Sequence, residues 1–384
     1  MSEWKEVKLG EICSYGKERI GVASLTRATY ISTENMQPNR GGVVLASSIP
    51  DAGCVVAYKK DDVLVSNIRP YFKKIWLASH DGGCSADVLV FRNRENADAK
   101  FLYYLLSADS FFDYSMATAK GTKMPRGDKN SLMEYGVKLP PLAEQRRIAE
   151  ILWSLDDKIE LNSAINRNLE EQARALFKNW FIDFKPFGGN MPGDWKEGKL
   201  SDLGTVVGGG TPSKTKKEYY TENGIAWITP KDLSLHPNKF TSKGEIDITQ
   251  EGYDNSSAKL MPKASILFSS RAPIGYISIA QNEVCTNQGF KSVVPKQNVG
   301  TPYVYFYLKM HIDEIENKAS GSTFKEASGA LMNSLDAIIP SDEVLDAFTA
   351  LCNPIFEQQE NLEGENQRLT TLRDTLLPEL MSGE

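Results

Sequence analysis

The sequence predicts an α+β fold in which two pseudo-repeated, mixed α/β domains are separated by two long helices that form an antiparallel coiled coil. Three observations lead to this prediction: an internal repeat, short β-type runs between Gly/Pro turns in each half, and one long heptad pattern after each half. The predicted segments are 1–141 (first domain), 142–184 (central long helix), 185–341 (second domain) and 342–384 (C-terminal long helix).

The two halves of the chain repeat each other. Five short motifs recur in the same order, and their offset stays between 191 and 201 residues. One such match can arise by chance, but five in order indicate a duplication. The matched pairs are Trp4–Leu9 with Trp195–Leu200, Tyr30–Met36 with Trp227–Leu233, Cys84–Ser85 with Cys285–Thr286, Gly121–Lys123 with Gly321–Lys325, and Leu139–Pro140 with Ile339–Pro340.

Each half begins with strand-like and short helical segments. Runs of β-branched and aromatic residues bounded by turn residues predict strands, and apolar residues at helical spacing predict short helices. The predicted strands are 55–58, 63–65, 88–91, 265–268, 276–280 and 291–294, and the predicted helices are 100–106 and 302–311.

A long heptad pattern follows each half. Pro140–Pro141 marks the entry of the first helix, and Glu144 in its first turn suits the helix dipole. In the second helix Arg373 interrupts the apolar stripe, and Pro354 predicts a kink or a new helix start. The predicted coiled-coil seam is Ile148, Leu152, Leu155, Ile159, Leu169 and Leu176 in the first helix, and Phe348, Ile355, Leu362, Leu369 and Leu376 in the second.

Four amides fall on the two heptad stripes: Asn162, Asn166, Gln359 and Asn366. Amides buried in a seam reduce stability but can determine register and partner choice, whereas amides facing water carry no such role. Both interpretations stay open from the sequence. A helix pair of about 36 residues would span about 54 Å and hold the two domains a set distance apart.

Composition argues against several classes of protein. The chain has 41% hydrophobic and 24% charged residues, as soluble globular proteins do, and no apolar run approaches the ~18 residues of a membrane span. No secretory apolar region follows Met1, and the five cysteines include no C-x-x-C pair. We expect a cytoplasmic protein with no membrane partner, no disulfide framework and no metal site.

The charge is unevenly distributed along the chain. The formal net charge of −6 argues weakly against a DNA-binding protein. However, residues 1–141 carry +3 and residues 185–341 carry +1, whereas the helical segments 142–184 and 342–384 carry −2 and −8. A phosphate-binding surface is therefore expected on the two domains and not on the acidic C-terminal helix.

Two similar but non-identical domains on a rigid spacer suit a bipartite target. In DNA-reading proteins the spacing of half-sites follows from the geometry of the protein. Because the two domains differ in sequence, each is expected to read a different half-site of double-stranded DNA.

Ordered motifs run through nearly the whole chain. They are the helix entry Leu139–Ile148, the helix exit Ala175–Phe184, the ending Leu376–Glu384, and four shorter motifs in the second domain, Gly209–Ser213, Ser269–Gly275, Asn287–Phe290 and Gly321–Lys325. In this order they resemble the specificity subunits of type I restriction-modification enzymes. The second helix departs from the pattern, because it lacks a Pro-Leu-x-Glu-Gln entry and carries Pro354.

The resemblance implies a role for each part. Each domain would be a target-recognition domain that reads a few base pairs. The helices would dock two methyltransferase (modification) subunits, which bind S-adenosylmethionine and methylate adenine. Restriction subunits with ATP/Mg-dependent translocase and nuclease activity would join that complex, and this chain would itself hold no cofactor.

Signatures of catalysis are missing from the sequence. It has no Asp/Asn-Pro-Pro-Tyr/Phe motif of a DNA-adenine methyltransferase, no P-loop, no H-E-x-x-H and no clustered carboxylates of a nuclease. The run Gly208–Thr211 predicts a flexible loop that turns or approaches a phosphate backbone. We therefore expect a non-catalytic subunit with no catalytic and no metal-binding residues.

Basic residues interleaved with aromatics and amides are the candidates for DNA contact. Arginine suits guanine, amides suit adenine, and Lys or Thr mostly hold phosphates; any of these residues can equally be an ordinary solvated side chain. The candidates are Lys59, Lys60, Asn67, Arg69, Tyr71, Lys73, Lys74, Lys120, Thr122, Lys123, Arg126 and Lys129 in the first domain, and Thr211, Lys214, Lys216, Lys217, Lys231, Arg271, Asn287, Gln288, Thr323 and Lys325 in the second.

Two other functions stay open. A free-standing, two-headed DNA-binding regulator would need tight DNA affinity of its own, which the net acidity disfavours. A protein scaffold with no enzyme partners and no DNA role would not need different residues on its two duplicated domains. Co-purification with a methyltransferase would exclude both.

Overall fold

A computed structural model describes residues 4–321 and 325–382. The chain divides into two compact units: unit 1 comprises residues 1–160 and 367–384, and unit 2 comprises residues 161–366. Unit 1 contains the first body (residues 4–141) and unit 2 contains the second body (residues 185–341), and each unit also includes one part of each long helix. The compact units therefore divide both helices, which the four predicted segments do not.

The first body consists of short strands and helices. Its strands are β1 (Lys5–Lys8), β2 (Cys13–Tyr15), β3 (Arg19–Gly21), β4 (Tyr30–Ile31), β5 (Cys54–Tyr58), β6 (Val63–Ser66), β7 (Ile75–Leu77), β8 (Gly82–Cys84), β9 (Val88–Asn93) and β10 (Gly136–Leu139). Its helices are α1 (Leu9–Ile12), α2 (Ala99–Ser107), α3 (Asp109–Ala117) and α4 (Lys129–Met133). The strands form sheets in the orders β2-β9-β6-β7 and β3-β5-β8-β4, and β1 pairs with β10.

The second body follows the first long helix, α5 (Leu142–Phe181). Its strands are β11 (Lys196–Lys199), β12 (Gly204–Gly208), β13 (Tyr220–Thr221), β14 (Trp227–Ile228), β15 (Phe240–Thr241), β16 (Asp247–Ile248), β17 (Ile266–Ser270), β18 (Ile274–Ala280), β19 (Cys285–Thr286), β20 (Lys291–Pro295) and β21 (Asp336–Ile339). Its helices are α6 (Leu200–Leu203), α7 (Pro230–Leu235), α8 (Gln250–Asp254), α9 (Thr301–Met310), α10 (Ile312–Lys318) and α11 (Gly329–Ser334). The second long helix is α12 (Asp342–Ser382).

The two bodies share one plan. A five-stranded sheet, β12-β20-β17-β18-β15, stands in the second body where the first has β2-β9-β6-β7. The first and last strands of each body pair antiparallel, β1 with β10 and β11 with β21. Parallel pairs also recur, β4 with β8 and β14 with β19. The predicted duplication and the α+β class are confirmed, and each predicted strand and short helix coincides with an observed element.

The long helices run antiparallel within each unit. In unit 1, Arg373 Nη1 of α12 lies 2.7 Å from Asp156 Oδ1 of α5. In unit 2 the partners of Asn162 and Asn166 are Glu365 and Glu363, at 2.7 and 3.3 Å, so the α12 number falls as the α5 number rises. Asn162 is fully buried, which places this amide in the helix contact and not in water.

The seam residues lie on the packed side of both helices. Ile148, Leu152 and Phe348 are at most 1% exposed. The helices also bury a second row outside the predicted seam, Phe177, Phe181, Phe356 and Leu377, because each helix half packs on a body as well as on the other helix. The remaining seam residues are half-buried: Leu155, Ile159, Leu169, Leu176, Ile355, Leu362, Leu369 and Leu376.

Of the irregularities predicted for α12, a new helix start at Pro354 is wrong, whereas the interruption of the apolar stripe by Arg373 is present. The helix does not restart at Pro354, which lies on the exposed side while Cys352 and Phe356 on either side of it are buried and hold the helix in place. Arg373 occupies the stripe as a charged residue and forms the ion pair with Asp156. Asp156 in turn accepts a hydrogen bond from the Tyr104 hydroxyl at 2.6 Å, so α2, α5 and α12 meet at one carboxylate.

A buried lysine joins the second body to both helices of unit 2. The Lys239 side chain is 6% exposed, and its Nζ donates to Glu170 Oε2 at 2.8 Å and to Gln359 Oε1 at 2.7 Å. Its Nζ also lies 3.3 Å from the centre of the Phe356 ring. Burial lowers the pKa of Lys239 to about 8, although Glu170 opposes that shift. Sequence patterning did not single out this residue, because it lies in a loop.

No helix within residues 4–321 and 325–382 is long and apolar enough to cross a membrane. Across the same described ranges, no group of three or more His, Cys, Asp or Glu residues could hold a metal ion.

Candidate nucleic-acid interface

Two segments that carry candidates in the first body lie side by side. Residues 67–74 follow β6, and residues 120–129 lead into α4. The Arg69 amide donates to the Pro125 carbonyl at 2.8 Å, and Ile68 and Arg126 form a β-bridge. We call residues 67–74 and 120–129 the first loop pair. It contains ten of the twelve candidates of the first body, all except Lys59 and Lys60.

Many basic side chains of the first body have an acidic or carbonyl partner. Lys73 lies 2.8 Å from Asp109, Arg126 lies 3.1 Å from Asp87, and Lys120 pairs with Asp128. Outside the loop pair, Lys59 lies 3.2 Å from Asp81. Exposed ion pairs of this kind contribute little, about 0–1 kcal/mol each, so phosphates can displace the acids. Lys60, Thr122, Lys123 and Lys129 have exposed side chains.

Three candidates of the first loop pair, Asn67, Tyr71 and Lys74, differ in the solvent exposure of their side chains. Tyr71 is 48% exposed, whereas Asn67 is only 6% exposed and its Oδ1 has no hydrogen-bond partner among the described residues. Lys74 donates to the Thr33 carbonyl at 2.6 Å, and burial lowers its pKa. Tyr71 is therefore available for contact, while Asn67 and Lys74 are largely committed to the interior.

In the second body five candidates line one cavity. This cavity has a volume of about 480 Å³, and Tyr220, Trp227 and Asp232 also form its walls. The Thr211 hydroxyl donates to Gln288 Oε1, and Asn287 Oδ1 accepts from the Gly289 amide at 2.8 Å. We call this cavity the amide pocket. Its candidate residues are Thr211, Lys214, Lys231, Asn287 and Gln288.

The other candidates of the second body lie outside the wall of the amide pocket. Lys216 donates to the Tyr219 hydroxyl at 2.7 Å, and Lys217 is exposed. Arg271 Nη1 lies 3.5 Å from Glu326, and Lys325 donates to the Glu316 carbonyl at 3.2 Å. Thr323 lies outside the described residues.

The glycine run before the amide pocket is not the flexible loop that its composition predicts. The Gly210 amide donates to the Thr286 carbonyl at 2.8 Å, and the Gly210 carbonyl accepts from Trp227 Nε1 at 2.9 Å. An added Cβ at Gly209 would lie 1.9 Å from the Asn287 carbonyl oxygen. Glycine is required because this segment packs directly against the backbone that presents Asn287 and Gln288.

We expect Gly209→Ala to destabilise unit 2 by about 1–3 kcal/mol, because backbone atoms must move to admit the methyl group. The shift would displace Asn287 and weaken DNA binding by the assembled complex, as measured by fluorescence anisotropy. Gly208→Ala is the matched control, since its nearest new contact would be 4.0 Å away on a lysine side chain. Equal DNA affinity and equal melting temperatures for the two variants would contradict the packing role of Gly209.

Comparison with known proteins identifies the family. The profile of the type I restriction modification DNA specificity domain matches residues 1–171 and again residues 192–364, so one match falls on each repeat. The chain belongs to the type I restriction-modification specificity-subunit family. The resemblance inferred from the ordered motifs is thereby confirmed.

Individual members of this family align over much of the chain. The specificity subunit of the type I restriction enzyme HindI from Haemophilus influenzae is 27% identical over 461 aligned positions, which cover all of both chains. The MjaIX specificity subunit from Methanocaldococcus jannaschii is 37% identical over 193 residues, 50% of this chain and 44% of that protein. The crystal structure of a type I restriction-modification S subunit from M. genitalium has a TM-score of 0.65 at 18% identity, covering 99% of this chain and 96% of that one, and supports the fold.

One residue of the helix-entry motif, Gln145, joins the first long helix to the first body. Gln145, in the helix-entry motif, is 1% exposed. Its Oε1 accepts from the Asp98 amide at 2.9 Å, and its Nε2 donates to the carbonyls of Asn96 and Pro140 at 3.0 and 2.9 Å. This side chain therefore fastens the start of α5 to the first body. The start of α12 lacks such an amide, and an apolar residue, Leu345, is buried near it instead.

Proposed function

We propose that this specificity subunit directs a type I restriction-modification complex to an asymmetric, bipartite site in double-stranded DNA, with one half-site read by each body. The observation that carries the proposal is that the two bodies share one plan but present different side chains at equivalent places. At the β-bridge beside the loop pair, the first body has Ile68 opposite Arg126, and the second has Arg271 opposite Glu326. A difference of charge at equivalent positions is expected of two readers with different targets.

The long helices would act as spacer and docking surface. Helices α5 and α12 contain 40 and 41 residues, so either is about 60 Å long at ~1.5 Å per residue. We propose that this pair determines the number of base pairs between the half-sites. The net charge of −8 on residues 342–384 disfavours contact with DNA and favours a protein partner.

The partners would supply the chemistry. Two methyltransferase subunits would bind S-adenosylmethionine, and restriction/translocase subunits would use ATP and Mg²⁺, while this chain contributes DNA contacts and docking surfaces and no catalytic group. The alternatives are a two-headed DNA-binding regulator and a scaffold without enzyme partners. The match of the specificity-domain profile to both repeats favours the restriction-modification role over these alternatives.

Methylome sequencing of the host with and without this gene tests the proposal. We expect deletion to remove one adenine-methylated motif that consists of two unlike half-sites around a constant gap, and a plasmid copy to restore it. Unchanged methylation, together with failure of the tagged chain to co-purify a methyltransferase, would reject the proposal. If the tagged chain co-purifies with a methyltransferase but methylation is unchanged, the scaffolding role stands and active modification in that host is rejected.

A further inference from the structure

The structure places the two conspicuous arginines of the candidate surfaces at different positions of the repeat. The backbone N–H of Asn67 donates to the backbone carbonyl of Asp87 at 2.8 Å. The backbone N–H of Ser270 donates to the backbone carbonyl of Gly289 at 2.7 Å. These bonds and the two β-bridges align Asn67 with Ser270 and Ile68 with Arg271. The next residue is Arg69 in the first body, with φ of 51°, and Ala272 in the second body, with φ of 48°. Each of the two precedes a proline. Arg69 is therefore equivalent to Ala272 and not to Arg271.

The same alignment shows that several cationic residues of the first loop pair have no cationic counterpart in the second body. The bridge residues Lys120 and Arg126 correspond to Ser320 and Glu326. Counting on from the bridge, Lys129 corresponds to Gly329, and both residues begin a short helix. With Arg69 at the place of Ala272, four cationic positions of the first loop pair are neutral or acidic in the second body.

Arg69 also differs from other arginines of the first body in its hydrogen bonding. Its side chain is half-buried, and its buried Nε has no hydrogen-bond partner among the described residues. Three other arginines of the first body are satisfied: Arg40 by Ser107 and Asp109, Arg92 by Asp62 and Glu18, and Arg126 by Asp87. A buried polar donor without a partner is costly in a native protein, and a functional partner that is absent from the free protein is one physical explanation.

The backbone at Arg69 adds a second observation. A non-glycine residue with φ near +50° adopts a sparsely populated conformation that costs about 1 kcal/mol or more and is retained where the surroundings impose it. The Arg69 amide donates to the Pro125 carbonyl, which ties this residue to the second segment of the loop pair. Arg69 is thus held between the two segments of the first loop pair, next to the exposed Tyr71.

We propose that Arg69 is the residue through which the first body reads a guanine in its half-site, and that the second body does not read through Arg271. The inference rests on the proposed DNA-binding function. The Arg fork matches the O6 and N7 acceptors of guanine in the major groove, and Lys120, Arg126 and Lys129 would hold the flanking phosphates. In the second body Arg271 lies 3.5 Å from Glu326, which also pairs with Lys291 at 3.1 Å, and we assign recognition there to the amide pocket.

Guanine analogues test this assignment on the assembled methyltransferase complex. Each guanine of the bipartite site is replaced in turn by 7-deazaguanine, which lacks the N7 acceptor, and the affinity of each duplex is measured. For the wild-type protein we expect one position in one half-site at which affinity falls, by up to about 150-fold, because one of the two hydrogen bonds of the bidentate contact is lost. Arg69→Lys, which keeps the charge and loses the fork, should bind the natural site more weakly by a similar factor and become indifferent to the analogue at that position.

Arg271→Lys is the matched control and should retain the wild-type response at every guanine. The inference is overturned if Arg69→Lys keeps the full wild-type response, or if Arg271→Lys is the variant that loses it. If Arg69→Lys fails to fold, photo-cross-linking of the wild-type complex from the sensitive position decides, because the cross-link must fall within residues 67–74. A wild-type complex that binds no bipartite site rejects the proposed function itself, whereas binding without the Arg69 response rejects only this inference.

Discussion

Glu170→Gln is expected to lower the free energy of unfolding of unit 2 by about 3 kcal/mol at pH 7. Burial opposes the charge on this carboxylate, but Lys239 and Lys309, at 2.8 and 2.5 Å, more than compensate and lower its pKa to about 2. The substitution removes the carboxylate to which the Lys239 ammonium donates and leaves it the Gln359 amide oxygen and the aromatic rings. Urea denaturation of the full chain, with hydrogen exchange at β15 and β18 to localise the effect, measures the change.

The pH dependence of the free energy of unfolding provides an independent test of the ion pair between Glu170 and Lys239. Because the pKa of Glu170 in the folded state lies below its ordinary value of 4.5, its stabilisation is complete above pH 4.5 and is lost as the pH falls towards 2. The stability difference between the wild type and Glu170→Gln should therefore shrink across that interval. Glu171→Gln, on the exposed side of the same helix turn, is the control and should change stability by less than about 0.5 kcal/mol. A constant difference from pH 7 to pH 3 would show that the charge on Glu170 is not what stabilises the unit.

Inserting one heptad into each long helix is expected to lengthen the gap of the methylated motif by about three base pairs. Seven residues add about 10 Å of helix and preserve the phase of the seam, and base pairs are about 3.4 Å apart. The insertions belong after Glu160 in α5 and after Asn366 in α12, which are also the limits of the two compact units. The bodies stay unchanged, so the two half-site sequences should persist. Methylome sequencing reads both quantities in one experiment.

Single insertions control for the effect of added length alone. A heptad placed in only one helix mismatches the pair, and we expect methylation to disappear with it. An unchanged gap in an active double-insertion enzyme would refute the role of the helices as the spacer, whereas altered half-sites would refute the assignment of one half-site to each body.

Local patterns in the sequence were sufficient for the architecture. The duplication, the strands and the long helices are confirmed because they depend on periodicity and turn chemistry, which are properties of neighbouring residues. The heptad stripe was too narrow: Phe177 and Phe356 pack on the second body, and a two-helix pattern does not include that third surface. Helix α12 continues through Pro354 for the same reason, since packing on both sides outweighs one local preference.

The sequence by itself determined the fold class, the repeat and the family, whereas only the tertiary structure decided how individual polar residues are used. Arg69 and Arg271 are both DNA-contact candidates in the sequence, and hydrogen bonds between distant segments place them one position apart in the repeat. From the sequence alone, Lys239 would be taken for a surface lysine. In the structure it donates to Glu170 and Gln359, which lie more than 65 and 115 residues away along the chain. The physical reason is that the state of a charge depends on partners and burial, and both are determined by contacts between segments far apart in sequence.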